Sequence, residues 1–254
     1  MGRRRLLLDV SSLGYRAFFA LKDVRSPDGR PMGTVHGYLD YVARLLMSRR
    51  PDEVVHVYDH DWRPVARTDI YPGYKSTRLP DPDGLPEQFE LLHHALDLTG
   101  TPQAQTRDWE AEDAIGAICS QSRSDDRIEI VSGDRDLIQL VHDPDVRLLF
   151  TLRGVSELLD DVEASSPRPG PLRGKPALRA RVREARDYIA AMERLVPVNA
   201  RAPVEVWSGE RNDDALRALA EEQGFKGPAQ RLIAAMDSVS GRRSRASRSV
   251  SAGR

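Results

Sequence analysis

The chain has 254 residues, 40% of them hydrophobic and 30% charged, with a formal net charge of −1. This is long enough to bury a substantial core, as one large domain or a main domain with an appendage, and no apolar run approaches the length of a membrane span. A single cysteine, Cys119, excludes a disulfide framework and a cysteine zinc site, and it fits a reducing cytoplasm, the compartment expected here.

In chain order, the three arginines at positions 3–5 and the leucines at 6–8 have the flavour of a leader peptide. Asp9 ends the apolar run too early for one, and Leu6–Val10 reads instead as a strand ending in an acid. Val35, Leu39, Val42 and Leu45 recur at helical spacing and predict an amphipathic helix over 34–48. Val54–Tyr58 is a second strand, again followed by an acid, Asp59. Residues 60–84 have little apolar periodicity and interleave basic residues with tyrosines. Phe89, Leu92 and Leu96 predict a helix over 85–98 with Gly100 as its C-cap. A further helix is predicted over 111–120, whose apolar face would bury Cys119. Ile128–Val131, followed by Ser132-Gly133-Asp134, is a third strand, and Val146–Leu152 a fourth.

Beyond about 157 the composition changes. Residues 164–177, rich in Pro, Ser and Gly, read as a linker. Residues 178–194 read as a basic helix, and Arg168 to Arg186 contains seven Lys/Arg opposed only by Glu184. A last helix is predicted over Asp213–Gln223, stopping at Gly224. The stretch from Ser240 onward carries Arg242, Arg243, Arg245, Arg248 and Arg254 with no acid and reads as a solvated, disordered tail in preference to a nucleic-acid-attracting arm. With those five arginines set aside, the remainder carries −6.

Alternating strands and helices predict an α/β fold with a central, mostly parallel sheet flanked by helices. Ligands of such sheets bind at the carboxyl edge of the strands, which gathers Asp9, Asp59 and Asp134 there. Glu110-Ala-Glu112-Asp113 stands at a helix start, so Glu110 and Asp113 face the same way. Asp134 and Asp136 flank a turn. Any one of these acids could cap a helix or turn. Seven converging on one edge repel one another unless a cation is present. With no His or Cys interleaved, the set selects a hard, oxygen-liking cation, Mg²⁺ or Mn²⁺, which lowers the pKa of a bound water and stabilises a leaving oxygen. Arg63, Arg67, Lys75 and Arg78 with Tyr71 and Tyr74 combine phosphate-pairing cations with stacking rings, as single-strand binding requires. A solvated basic loop is the alternative for that segment taken alone.

The stretches Leu6-Leu-Leu-Asp9-Val-Ser-Ser-Leu-Gly-Tyr15-Arg16-Ala-Phe-Phe19, Tyr58-Asp59-His-Asp-Trp-Arg63 and Tyr71-Pro-Gly-Tyr74-Lys75-Ser-Thr-Arg78 resemble the bacterial 5′-3′ exonuclease/flap endonuclease family. Trp109-Glu110-Ala-Glu112-Asp113-Ala-Ile-Gly116 and Ser132-Gly133-Asp134-Arg-Asp136-Leu-Ile-Gln-Leu140 continue the likeness in order and spacing. The family includes the N-terminal exonuclease domain of DNA polymerase I, and the Asp-x-Asp-Trp-Arg form looks most like the actinobacterial stand-alone members. The resemblance covers about the first 155 residues and implies a PIN-like 5′ nuclease fold. It further implies that Asp9, Asp59, Glu110, Glu112 and Asp113 surround one metal, with Asp134 and Asp136 contributing to a second. It also implies catalytic roles for Lys75, Arg78 and Asp113, and DNA contacts from Arg16, Arg63, Arg67, Tyr71, Tyr74, Lys75 and Arg78. Glu112 is usually Asp in the family.

The resemblance divides the chain into a catalytic domain over 1–158 with an arch-like segment at about 62–84, a linker and truncated helical DNA-binding remnant over 159–238, and the tail over 239–254. A Gly-Asp-x-x-Asp motif and a helix–three-turn–helix that grips duplex DNA normally follow the first part, and neither is in this sequence. Asp160 and Asp161 could replace the lost ligands, but a solvated linker is the better reading. The expected function is metal-dependent hydrolysis of DNA near 5′ ends or flaps, in replication or repair alongside other proteins of those processes. The alternative is a degenerate member that binds such ends with little cleavage. An RNA-cleaving toxin of the related acidic-nuclease class is a more remote third, disfavoured by the arch-like segment.

Overall fold

The computed structural model describes residues 2–61, 63–142, 144–150 and 197–251, with side chains to 240. Six strands form one sheet: β1 (Arg4–Asp9), β2 (Glu53–Val57), β3 (Gln103–Thr106), β4 (Arg127–Ser132), β5 (Val146–Phe150) and β6 (Val204–Trp207). Their order is β5-β4-β1-β2-β3-β6, all pairs parallel except β3 with β6. The helices are α1 (Val10–Ala20), α2 (Gly33–Arg49), α3 (Val65–Ile70), α4 (Leu85–Asp97), α5 (Ala111–Ser120), α6 (Asp213–Gln223) and α7 (Lys226–Ser251), with a 3-10 turn over Asp136–Leu140.

Strand alternation sends side chains to opposite faces, and the core divides accordingly. Leu6 and Leu8 of β1 join Leu39, Val42, Leu92, Leu96, Leu216, Phe225 and Leu232 on the face covered by α2, α4, α6 and α7. Leu7 faces the other way, against Val55, Ile115, Ile118 and Ile130 under α5. Cys119 packs beside this second cluster as expected, and burial pushes its thiol up to about 12.

The strands and helices predicted within the described residues are present, and besides the short α3 there are four additions; the helix predicted over 178–194 lies outside the described residues. The first, α1, starts directly from β1 with Asp9 as both last strand residue and N-cap, so no loop announces it. Gly14 is required inside it, because a Cβ there would lie 2.5 Å from the Phe89 ring. The second, β3, has the polar sequence Gln-Ala-Gln-Thr and shows no apolar run. The third, β6, pairs only with β3, as an edge strand with half-exposed residues.

The fourth addition, α7, lies at the end of the chain. Within residues 204–240, expected as part of a helical remnant, β6 extends the sheet, and α6 and α7 seal one face of the main core. The helix α7 also runs to Ser251, through the stretch expected to be a disordered tail. Its first half is driven by buried Leu232, Ile233 and Met236 against α2, and no proline interrupts its second half. The expected linker, the basic run 168–186 and Asp160 and Asp161 lie outside the described residues. Among the described residues, no helix is long and apolar enough to cross a membrane.

Candidate active site

The carboxyl edge of the sheet gathers the acids that strand ends predict there. Asp9, 7% exposed at the end of β1, accepts from Ser12 N (3.0 Å) and from the Ser132 hydroxyl (2.5 Å). Burial, then the neighbouring Asp59, pushes its carboxyl up to about 7. Asp59, two residues past β2, accepts from the backbone N–H of Ala111 at 2.8 Å, which fixes α5 against β2. Asp134 follows β4 and accepts from Asp136 N at 2.9 Å, and it raises the carboxyls of both Asp9 and Glu112 through space. Asp136 opens the 3-10 turn and is exposed.

Two serines absent from the expected site hold this edge together. The Ser132 hydroxyl donates to Asp9 and accepts from Asp134 N at 2.9 Å, so one side chain spaces the acids of β1 and β4. Ser12 Oγ accepts from Gly133 N at 2.9 Å. Both lie in the quoted Asp-Val-Ser-Ser and Ser-Gly-Asp stretches, and serines beside strand-end acids are the signal that could have found them. Arg16 packs its guanidinium on Gly133, where an added Cβ would lie 1.9 Å from it. That contact lays a cation against the main chain one residue before Asp134.

The start of α5 carries the other three acids. Glu110 is the N-cap, in a reciprocal capping box with Asp113. Asp113 is fully buried, and both its oxygens are engaged: Oδ2 by Arg67 (2.9 Å) and Glu110 N (3.3 Å), Oδ1 by Asn199 N (2.7 Å). Burial raises its carboxyl in spite of these bonds. Glu112 accepts from Arg67 at 2.8 Å, and its carboxyl is pushed up to about 9 by burial and then by Glu110. Burial is the first cause of each raised value, and neighbouring carboxylates add to it.

The basic segment divides differently from expectation. Lys75, at φ 51, pairs its ammonium with Glu110, and Tyr74 donates to the same carboxylate at 2.5 Å. Arg78 is exposed, with its guanidinium 5.6 Å from the Tyr15 ring. Tyr71 is half-buried. Arg63 donates to the backbone carbonyls of Tyr74 and Pro72, holding the turn that carries Lys75. Arg67 departs most. Grouped by sequence with the phosphate-pairing cations, it is instead 1% exposed inside the carboxylate cluster, because three desolvated acids hold it more strongly than solvent does.

Carboxylate oxygens alone, with no His or Cys among them, fit a hard divalent cation. Among the described residues, no three of the acids meet at a common ligation point. The positive charge beside Glu110, Glu112 and Asp113 comes from Arg67 and Lys75.

A parallel sheet with acids along its carboxyl edge and a basic segment leaning over them defines the class of acidic-site α/β nucleases. Residues 4–165 match the sequence family described as 5′-3′ exonuclease, N-terminal resolvase-like domain, and the chain belongs to that family. A 5′-3′ exonuclease of Streptomyces coelicolor is 32% identical over 298 aligned positions, covering 90% of this chain and 98% of that protein. The alignment is longer than the chain itself, so it crosses positions this sequence lacks. A 5′-3′ exonuclease of Mycobacterium tuberculosis is 36% identical over 167 residues, 60% of this chain and 52% of that one. In fold, the chain is similar to flap endonuclease-1 from Methanococcus jannaschii, with a TM-score of 0.52 at 13% identity over 92% of this chain and 93% of that one. Nucleases of this family depend on divalent metal ions.

Proposed function

We propose that the chain hydrolyses DNA phosphodiesters near 5′ ends or flaps, with Mg²⁺ or Mn²⁺ held by the acids of the sheet edge. One observation carries the reading: acids from the ends of β1, β2 and β4 and the start of α5 lie together with arch cations against them. Asp9, Asp59, Glu110 and Glu112 would hold one metal and Asp134 and Asp136 would contribute to a second; bound there, the ions would supply an ionised water and charge neutralisation at the leaving oxygen.

The remaining work falls to the chain itself. Ser132 and Ser12 hold the acids of β1 and β4 at fixed spacing, so little reorganisation accompanies reaction. Arg78, exposed beside Tyr15, and Lys75 supply charge for the scissile phosphate. Arg16, whose guanidinium lies against Gly133, would meet a backbone phosphate. Asp113, with both oxygens engaged, is read as a positioning residue that fixes Arg67 and the main chain at Asn199.

A second reading has its own support. The Gly-Asp-x-x-Asp motif is missing, which favours a member that binds DNA 5′ ends but cleaves them weakly. A 5′-labelled flap substrate separates the two. With Mn²⁺ or Mg²⁺ the wild type should shorten it, and Asp9→Ala should lower the rate by roughly a hundredfold or more. Equal gel shifts with no shortening by either protein would establish the binding-only reading.

A further inference from the structure

Arg67 and Lys75 occupy the oxygens that a metal bound at the start of α5 would need. Glu110 gives Oε1 to Lys75 and Oε2 to both Tyr74 (2.5 Å) and Arg67 (3.3 Å). Glu112 gives Oε1 to Arg67 at 2.8 Å. Two formal positive charges thus stand against these carboxylates, equal to the charge of one divalent cation. Both come from one short stretch, α3 and the turn after it, and Arg63 braces that turn through the Tyr74 and Pro72 carbonyls. The arch segment is therefore tied to the site by the very groups a metal would engage.

We propose that Arg67 and Lys75 are built-in stand-ins for the divalent cation, and that metal binding displaces them from Glu110 and Glu112 and so releases the segment 65–78 from α5. The inference rests on reading these carboxylates as metal ligands. Metal and protein cations compete for the same oxygens, because ligation needs the lone pairs now accepting from nitrogen. Asp113 stays in place as an anchor, since its Oδ1 is held by the Asn199 main chain. Release frees the Lys75 ammonium from Glu110 at the moment a metal is loaded, so metal occupancy and phosphate capture are coupled and each strengthens the other. Arg67 is a positioning residue on this account: it acts on the reaction through the acids it vacates.

The Trp109 ring lies 5.7 Å from the Arg67 guanidinium and makes the displacement observable without DNA or turnover. In a Trp62→Phe, Trp207→Phe background, Mg²⁺ should change Trp109 emission, and Arg67→Gln should abolish that change. Mn²⁺ affinity, read from the free-ion signal in electron paramagnetic resonance, should tighten on the order of tenfold in Arg67→Gln, because a competing cation has gone. Lys75→Gln, at a less buried position, should shift affinity in the same direction and serves if Arg67→Gln does not fold. Unchanged or weaker Mn²⁺ binding in a folded variant, or wild-type binding with no change in Trp109 emission, would overturn the displacement while leaving the metal reading intact. Failure of all the proteins to bind Mn²⁺ would overturn both.

Discussion

At the scale of single residues, the acids are legible in the sequence and their supports are not. A strand that ends in Asp announces its position, because strand ends and sheet edges follow from apolar runs. Ser12 and Ser132 give only a faint signal, since a serine beside a turn is ordinary and it is the register of β1 with β4 that brings Ser132 to Asp9 and Ser12 to Gly133. Arg67 misleads for a related reason. Its sequence neighbours are basic and aromatic, but its burial is decided by acids more than forty positions away. His56 is a further buried group that sequence does not flag. It sits in β2 at 1% exposure, 2.7 Å from the Tyr38 hydroxyl, and burial lowers its pKa to about 3. The unfolded chain takes up this proton below about 6.5 and the folded chain does not until about 3, so His56 costs stability as pH falls through that window. The slope is at most about 1.4 kcal/mol per pH unit. Asp9 and Glu112, whose carboxyls are raised, act in the opposite sense and favour folding at low pH. The difference between wild type and His56→Gln removes their contribution. Urea unfolding from pH 7 to pH 4 should show wild type losing stability relative to the variant, and parallel curves would contradict a buried neutral imidazole.

At the scale of elements, periodicity finds the strands and helices whose burial is apolar, and misses those whose reason is polar. The strand β3 is the clearest case. Gln103 and Thr106 are fully buried, yet neither reads as a core residue. Gln103 takes its place by hydrogen bonding: it accepts from the Tyr58 hydroxyl at 2.6 Å and donates to Asp97 at 2.6 Å, linking β2, β3 and α4. Burying an amide costs free energy unless its partners are met, and here both ends of the side chain are. The edge strand β6 is invisible for another reason, since it exists only where β3 offers an open edge to an antiparallel partner. These facts give β3 a specific sensitivity. Gln103→Leu keeps the volume and improves the apparent strand pattern, but strips a partner from both Tyr58 and Asp97. It should destabilise by about 1–3 kcal/mol, read as a lower urea midpoint with unchanged slope. A neutral or stabilising outcome would mean that β3 is held by apolar contacts after all.

At the scale of the whole molecule, the end of the chain belongs to the core that its beginning starts. The helix α7 packs along α2, with Arg231 on Asp40 at 2.8 and 2.9 Å and Phe225, Leu232, Ile233 and Met236 buried between them. The exposed ion pair adds little, so the apolar side chains carry the attachment. Each contributes roughly 1.5–3 kcal/mol on burial, and four together rival the whole stability of an ordinary domain, about 5–15 kcal/mol. Sequence reading places a boundary before this region because the intervening segment is rich in Pro and Gly, a local signal that says nothing of where the chain returns. The return is to the site itself: Asn199 N binds Asp113, and the Ser120 hydroxyl donates to the Ala200 carbonyl at 2.8 Å. Two truncations separate the halves of α7. Ending the chain after Gly224 removes all four buried side chains and should abolish the cooperative thermal transition, with loss of near-ultraviolet circular dichroism. Ending it after Ser240 leaves those contacts in place and should move the midpoint by only a few degrees, since a terminal helical extension is worth little by itself. If the shorter chain kept a sharp transition, the apolar seam between α2 and α7 would not be what closes this face of the sheet.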